Sequence, residues 1–402
     1  MRETPPASSE PFHAAPRGMT TGSSHPDISS PVMQTISALS IPRLTGTAGW
    51  RQTTERVRDA LVALDYDVTD HEFEFSDWPG RFGPAVVGVL VSGGLGATWL
   101  ALSAGQPAIA LLILLSTQAA TALLIAASER FLLRFPKGRR EGLNIMARSR
   151  AGRPRWIIVA HRDSKSQLVP IAVRIAAAAL AGIVWILMLA GVILASFGVN
   201  TIFTTIPVVA AGIAAGLVLL ACVTGNDSAG ALDNASGVAA LLGIASAEHG
   251  AGDVAFLVTD AEEFGLAGAS AMAGSLAWAE GVINLDGLDD HGPFRVLGRY
   301  GTPRRGGAPK IETALREAAA DAGQSIRTGP VPRGLLLDHL AFARAGIPAL
   351  TLMRGTWLSM ARVHMPADRP DRLDGAGATL TVEIVRHALR RLRALAPATP
   401  AH

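Results

Sequence analysis

Five short stretches of this 402-residue chain bring together imidazoles and carboxylates. In "VAHRDS", His161 and Asp163 follow an apolar run. An extended chain sends residues i and i+2 to one face. Asp163 can therefore accept from one ring nitrogen of His161 while the other binds a metal. In "GALDNASG", Asp233 stands just before a helix, where a carboxylate can cap the helix, bridge two cations, or do both. "DAEEFG" sets Glu262 beside Glu263. Adjacent carboxylates repel unless a cation or a shared proton holds them. In a loop, one of the two can bind metal while the other acts as general base. "NLDGLDD" ends a short apolar strand in Asp286, and its Asp289 and Asp290 are expected at the surface. "VHMPADRPD" puts His364 in a proline-punctuated loop, with Asp368 four residues on as a candidate partner for its ring.

Taken singly, each stretch has a plain structural explanation: a packed strand-end histidine, a helix cap, a solvated acid pair, ordinary loop residues. Taken together, they supply two histidines and three carboxylates, with one further glutamate to spare. Mixed nitrogen and oxygen donors suit zinc or a similar divalent ion, and two ions sharing one carboxylate use five ligands economically.

Most of these residues fall at the carboxyl end of an expected strand or just before a helix, where open α/β sheets place their ligands. A helix with Val57, Leu61 and Leu64 on one face precedes a strand at 67–75. "LNIMARSRAGRPRWIIVA" is expected to form two strands, 144–148 and 156–160; the apolar run of the second suits a sheet covered on both faces. Further along, helices are expected at 234–248, 312–322 and 376–395, and strands at 254–259, 282–285 and 348–353. This alternation argues for an α/β sandwich on a largely parallel sheet.

Four long apolar stretches interrupt the pattern: 84–103, 107–127, 175–199 and 202–223. None contains a charged residue. About 20 helical residues span the roughly 30 Å hydrocarbon core of a bilayer, and core helices of a soluble domain seldom run so long without a polar stripe. Charged residues make up only 17% of the chain, against roughly 25% in ordinary globular proteins, and the mean hydropathy is +0.31. Short links, "AGQP" and "NT", join the stretches into two hairpins, so all the polar chemistry lies on one side of the membrane. The hairpin tips carry no Lys or Arg, whereas Arg81, Arg130, Arg134, Lys137, Arg139, Arg140, Lys165 and Arg174 flank the other ends. The positive-inside rule puts that side in the cytoplasm. From the chain lengths joining His161 and Asp233 to the second hairpin, the site lies within roughly 30–45 Å of the bilayer surface.

The net charge of +3 comes without a basic stripe, which argues against nucleic acid as a partner. The single cysteine, Cys222, allows neither an intrachain disulfide nor a cysteine-based zinc site. Residues 1–32 are rich in Pro, Ser, Thr and Gly and carry no apolar segment of a signal peptide; they are expected to be a disordered tail, with His13 and His25 outside the ligand set. Residues 396–402 are expected to fray.

In order and wording, "AHRDS", "LDNASG", "DAEEFGLAGA", "NLDG" and "VHMPADRPD" resemble the M28 family of dinuclear zinc peptidases, and "DHLAFARAGIPAL" resembles its substrate-side segment. The resemblance covers about residues 35–75 and 142–395, with the hairpins as insertions. It implies a three-layer α/β sandwich around a mostly parallel mixed sheet, and two zinc ions per chain. Asp233 would bridge the ions. His161 and Asp286 would hold one, and Glu263 and His364 the other. Glu262 would be the general base, and Asp163 would orient His161. The implied domain is discontinuous (33–80, 142–168 and 224–395), with transmembrane hairpins at 84–127 and 170–223. Leu232, Leu337, Met365 and Arg369 depart from the family pattern beside the ligands, which bears on substrate choice and not on metal binding.

The expected activity is metal-assisted hydrolysis of peptides by a membrane-anchored aminopeptidase. The alternatives are an inactive peptidase-like scaffold, or a carboxypeptidase or cyclase on the same metal core. The expected partners are peptides and the lipid bilayer; the oligomeric state is left open.

Overall fold

The computed structural model describes residues 30–131, 133, 137–332 and 334–395. The expected tails lie outside them, except residues 30–32. In chain order these residues form α1 (Pro31–Leu39), α2 (Ala48–Ala63), β1 (Asp67–Ser76), α3 (Trp78–Ser103), α4 (Pro107–Phe131), β2 (Arg139–Arg148), β3 (Trp156–His161), β4 (Ser166–Gln167), α5 (Ile171–Ser196), α6 (Ile202–Leu220) and β5 (Thr224–Gly225). There follow α7 (Ser236–Ala247), β6 (Val254–Thr259), α8 (Ala267–Ala273), β7 (Gly281–Leu288), β8 (Phe294–Tyr300), β9 (Arg305–Gly306), α9 (Pro309–Asp321), β10 (Ile326–Pro330), α10 (His339–Arg344), β11 (Ala349–Arg354), α11 (Trp357–Arg362) and α12 (Ala376–Ala394).

The main sheet runs β1-β2-β6-β3-β7-β11-β8-β10, with β9 paired to β8. Its centre, β6-β3-β7-β11, is parallel throughout, and antiparallel pairs flank it on both sides. Side chains alternate between faces along each strand. Ile158 and Ala160 of β3 therefore pack under α1, α2, α7, α9 and α12, while Ile157 and Val159 face α8 and α10. The result is a three-layer α/β sandwich, and β3 and β6 are buried along their whole length. Each large aliphatic side chain so buried contributes roughly 1.5–3 kcal/mol.

The four apolar stretches form α3 to α6, each long and apolar enough to cross a membrane. The shortest, α6, has 19 residues, about 28 Å of helix. The two hairpins pack as one bundle, because α3 meets α6 through glycine. A Cβ on Gly88 would lie 2.4 Å from the Gly216 carbonyl oxygen, and one on Gly216 would lie 2.1 Å from Ser92 Oγ. Such close backbone approach is how helices associate where lipid removes the hydrophobic drive. The foot of the bundle rests on the sandwich: a Cβ on Gly80, in the first turn of α3, would meet Phe264 at 3.1 Å.

Two expectations need correction, and two strands lay outside any expectation. Residues 31 and 32, expected in the tail, begin a helix over 31–39, capped by Ser30 and docked on α7 through Met33, Ile36 and Leu39. Strands β8 and β10 had no recognisable signal; "FRVLGRY" and "IRTGP" mix charge and glycine into edge-side strands. Asp289 and Asp290 are buried, not at the surface. Asp289 accepts from Ser359 and, at 2.9 Å, from Arg362 Nη2. Asp290 accepts from the backbone amides of Asp374 (2.6 Å) and Gly377 (2.9 Å), at the start of α12.

Candidate metal centre

The five expected ligands come from the carboxyl ends of the four parallel central strands and from the start of α7. His161 ends β3 and Asp286 lies near the end of β7. Glu262 and Glu263 follow β6, and His364 follows α11 after β11. Asp233 precedes α7 in a non-helical conformation (φ −117°, ψ 89°). Two groups result, each with donor atoms within 4.8 Å of one another: His161, Asp233 and Asp286, and Asp233, Glu263 and His364.

Asp233 belongs to both groups through different atoms. Its Oδ1 lies 3.2 Å from His161 Nε2, and its Oδ2 lies 3.0 Å from His364 Nε2. Asp286 Oδ1 stands 3.7 Å from His161 Nε2, and Glu263 Oε2 stands 3.2 Å from His364 Nε2.

Asp163 does more than the sequence indicates. Its carbonyl oxygen lies 3.2 Å from His161 Nδ1 and its carboxylate 3.6 Å from the same atom. The carboxylate also accepts from the amides of Glu262 (3.2 Å) and Glu263 (3.1 Å). That acceptance helps hold a turn whose flanking residues, Ala261 and Leu266, take left-handed φ values of 54° and 66°, a conformation that costs non-glycine residues about 1 kcal/mol or more each.

Asp368 is not the partner of the His364 ring. Its carboxylate accepts from the amides of Leu232 (2.7 Å) and Asp233 (3.1 Å) and so places the shared ligand. Burial pushes that carboxyl up to about 6 even though the two amides favour its charge. Asn234 ties the ligand loops together, donating to Leu285 O at 2.8 Å and accepting from the amides of Gly237 (3.0 Å) and Gly287 (3.3 Å). Buried Arg43 donates to the carbonyls of Arg162, Ala229 and Gly230, joining the His161 loop to the Asp233 loop.

Two basic residues, counted in the sequence only as membrane flanks, reach the ligands. Lys165 Nζ pairs with Glu263 Oε2 at 2.7 Å. Arg174 Nη2, from the first turn of α5, lies 3.4 Å from His364 Nδ1. The site therefore stands at the foot of the bundle, closer than the chain-length bound required. A basic residue that flanks a span has no sequence mark separating one that faces a site from one that faces headgroups.

The electrostatics call for a cation. Burial raises the Glu262 carboxyl well above its ordinary value, with His161 partly opposing. Burial works against charge on His161, but Glu262, Asp163, Asp233 and Asp286 outweigh it and raise its pKa well above the usual value. Asp233 is the converse: the two histidines outweigh burial and hold it well below the carboxylate range. Burial would also discharge Lys165, yet Glu263 and Glu262 keep its pKa raised. Five carboxylates act on the two imidazoles, and buried Glu263 Oε1 has no hydrogen-bond partner among the described residues. A divalent ion would supply the charge that protons on the histidines otherwise provide.

A parallel-centred α/β sandwich with two acid–imidazole groups sharing one aspartate at the strand ends defines the class: an α/β sandwich with candidate metal-binding groups at the carboxyl ends of its central strands. The family follows from the sequence match. Residues 204–389 match the family model described as Peptidase family M28, and the chain carries a domain of that family. The match includes Asp233, Glu262, Glu263, Asp286 and His364 but not His161, which precedes the second hairpin. No curated protein matches the chain. Among solved structures, BSAP, a zinc aminopeptidase from Bacillus subtilis, is 14% identical with a TM-score of 0.52, over 91% of this chain and 96% of that one. The glutaminyl cyclase of Fimbriiglobus ruber is 16% identical at 0.52 (93% and 99%). That of Bacteroides thetaiotaomicron, bound to N-acetylhistamine, is 15% identical at 0.53 (91% and 98%). At these identities the likeness is one of fold.

Proposed function

We propose that this protein is a membrane-anchored, zinc-dependent aminopeptidase that removes N-terminal residues from peptides. The observation that carries the proposal is the division of the Asp233 carboxylate, one oxygen toward His161 and the other toward His364. His161, Asp233 and Asp286 would hold one zinc, and Asp233, Glu263 and His364 the second. Zinc bound there would acidify a water and polarise the scissile carbonyl.

The remaining work belongs to the chain's own groups. Glu262 is in neither ligand group, and its buried carboxyl takes up protons readily. It receives the proton of the attacking water and returns it to the leaving amine. Asp163 keeps Glu262 and Glu263 apart in function by gripping both their amides, and Asp368 holds Asp233 in place. On this reading the four apolar helices anchor the domain in the bilayer, and the basic flanks of the hairpins favour the cytoplasmic side.

The test is mass spectrometry of a mixed peptide pool incubated with the detergent-purified protein, with and without a chelator. Chelator-sensitive loss of single N-terminal residues is the expected outcome, with two zinc ions per chain by elemental analysis. C-terminal trimming would reverse the polarity of substrate binding. Loss of ammonia from N-terminal glutamine would assign a cyclase reaction. Bound metal with no turnover of any peptide would favour the scaffold.

A further inference from the structure

The reading that α3 to α6 cross a bilayer leaves one surface of the sandwich unexplained. Helix α11 is held on one side: Ser359 and Arg362 both donate to Asp289, and Thr356 and Ser359 cap each other. On its other side, Trp357 and Leu358 are 82% and 81% exposed. Leu168 is 79% exposed, and the preceding residue, Gln167, donates its amide to the carbonyl of His364 at 2.9 Å, two residues past the end of α11. Helix α11 packs against α5, whose first turn carries Arg174 beside His364. Outward-facing Val173 and Ile175 begin the apolar surface of α5 at the same level. The exposed apolar side chains of α11 and of the β4–α5 link therefore continue the surface that lipid must cover.

We propose that α11 is an interfacial helix, with Trp357, Leu358 and Leu168 seated in the headgroup and upper acyl region of the bilayer. This rests on the membrane reading and goes beyond it. The occupant is lipid because the patch joins a lipid-facing surface without a break and because it presents tryptophan, which prefers the membrane–water boundary. The short segment that carries His364 thereby rests on the membrane, and the site works on chain ends held at the bilayer surface.

The test uses the full chain in nanodiscs with Cys222→Ala as background. A bimane label is placed on Leu358→Cys, on Leu123→Cys in α4, or on Val62→Cys in α2, all exposed positions. Val62 lies near the start of β1, a ten-residue strand whose other end leads into α3, about 33 Å from the bundle foot. The nanodisc lipids are brominated either high or deep in the acyl chain. Strong fluorescence loss at position 358 with shallow bromines, at 123 with deep bromines, and none at 62 is the expected result. Quenching at 123 with none at 358 would overturn the proposal and leave the membrane reading intact. Blue-shifted but unquenched emission at 358 would also overturn it, giving the patch to a second copy or another protein. No quenching at 123 would remove the membrane reading and this proposal with it.

Discussion

The bundle and the sandwich are both rich in leucine, isoleucine and valine, yet they use them in opposite ways. In the sandwich, Ile158, Val159 and Leu257 are fully buried in a close-packed core. In the bundle, Leu100, Leu112, Leu123 and Ile186 face outward, while Gly88, Gly94, Gly212 and Gly216 sit where helices touch. On the proposed membrane anchoring, the difference follows from the solvent. Water drives large apolar side chains inward. Lipid is as apolar as leucine, so close backbone packing decides what goes inside. The loops of the candidate metal centre sit at the seam between these regions, with Gly80 packed on Phe264 and Arg174 against His364.

The comparison breaks most sharply in the sandwich's chemistry, which the bundle touches through Arg174. Asp233→Ala should lose both bound zinc, by elemental analysis, and turnover; retained metal stoichiometry would count against the shared-ligand role. Glu262→Gln should keep the metal and lose activity by ~10²–10⁴.

Next in size is a matched pair of truncations. Leu257→Ala, in the buried strand β6, should cost about 2–5 kcal/mol. Leu123→Ala, 70% exposed on α4, should cost under ~0.5 kcal/mol. Thermal denaturation of both in one detergent gives the ratio, and equal losses would erase the distinction between the two cores.

A pH-dependent term also belongs to the sandwich alone. Asp338 is buried, accepts from Thr259, and is pushed by burial from 3.8 up to about 7. A raised carboxyl pKa means the folded state binds more protons than the unfolded one. Its stabilising contribution is thus full below pH 3.8 and lost as pH rises through about 7. The difference in stability between wild type and Asp338→Asn should fall over that window, by on the order of 4 kcal/mol at most. A flat difference across the window would show that Asp338 titrates normally.

The inverse experiment in the bundle should give a moderate effect. Gly216→Leu should destabilise by about 1–3 kcal/mol through overpacking, because a Cβ there already collides with Ser92. If the variant is as stable as wild type, α3 and α6 do not pack through glycine.

Residue types and local periodicity determined a good deal unaided. The strands β3, β6, β7 and β11 that carry the site are short, mostly apolar runs bounded by turn residues, and the metal-binding residue types lie at or beyond their carboxyl ends in order. The four apolar spans could be counted from length and charge. Other features depend on partners distant in sequence, and only the tertiary structure decided them. Asp289 and Asp290 look like surface acids until Ser359, Arg362 and the start of α12 fold over them. Asp368 serves Asp233 instead of His364 because its loop passes under residues 232 and 233. Lys165 and Arg174 differ from the other basic flanks only in what they face. A side chain's type records which interactions it can make; which of them it makes is set when sheet order and helix packing bring distant backbone together, and no local pattern encodes that.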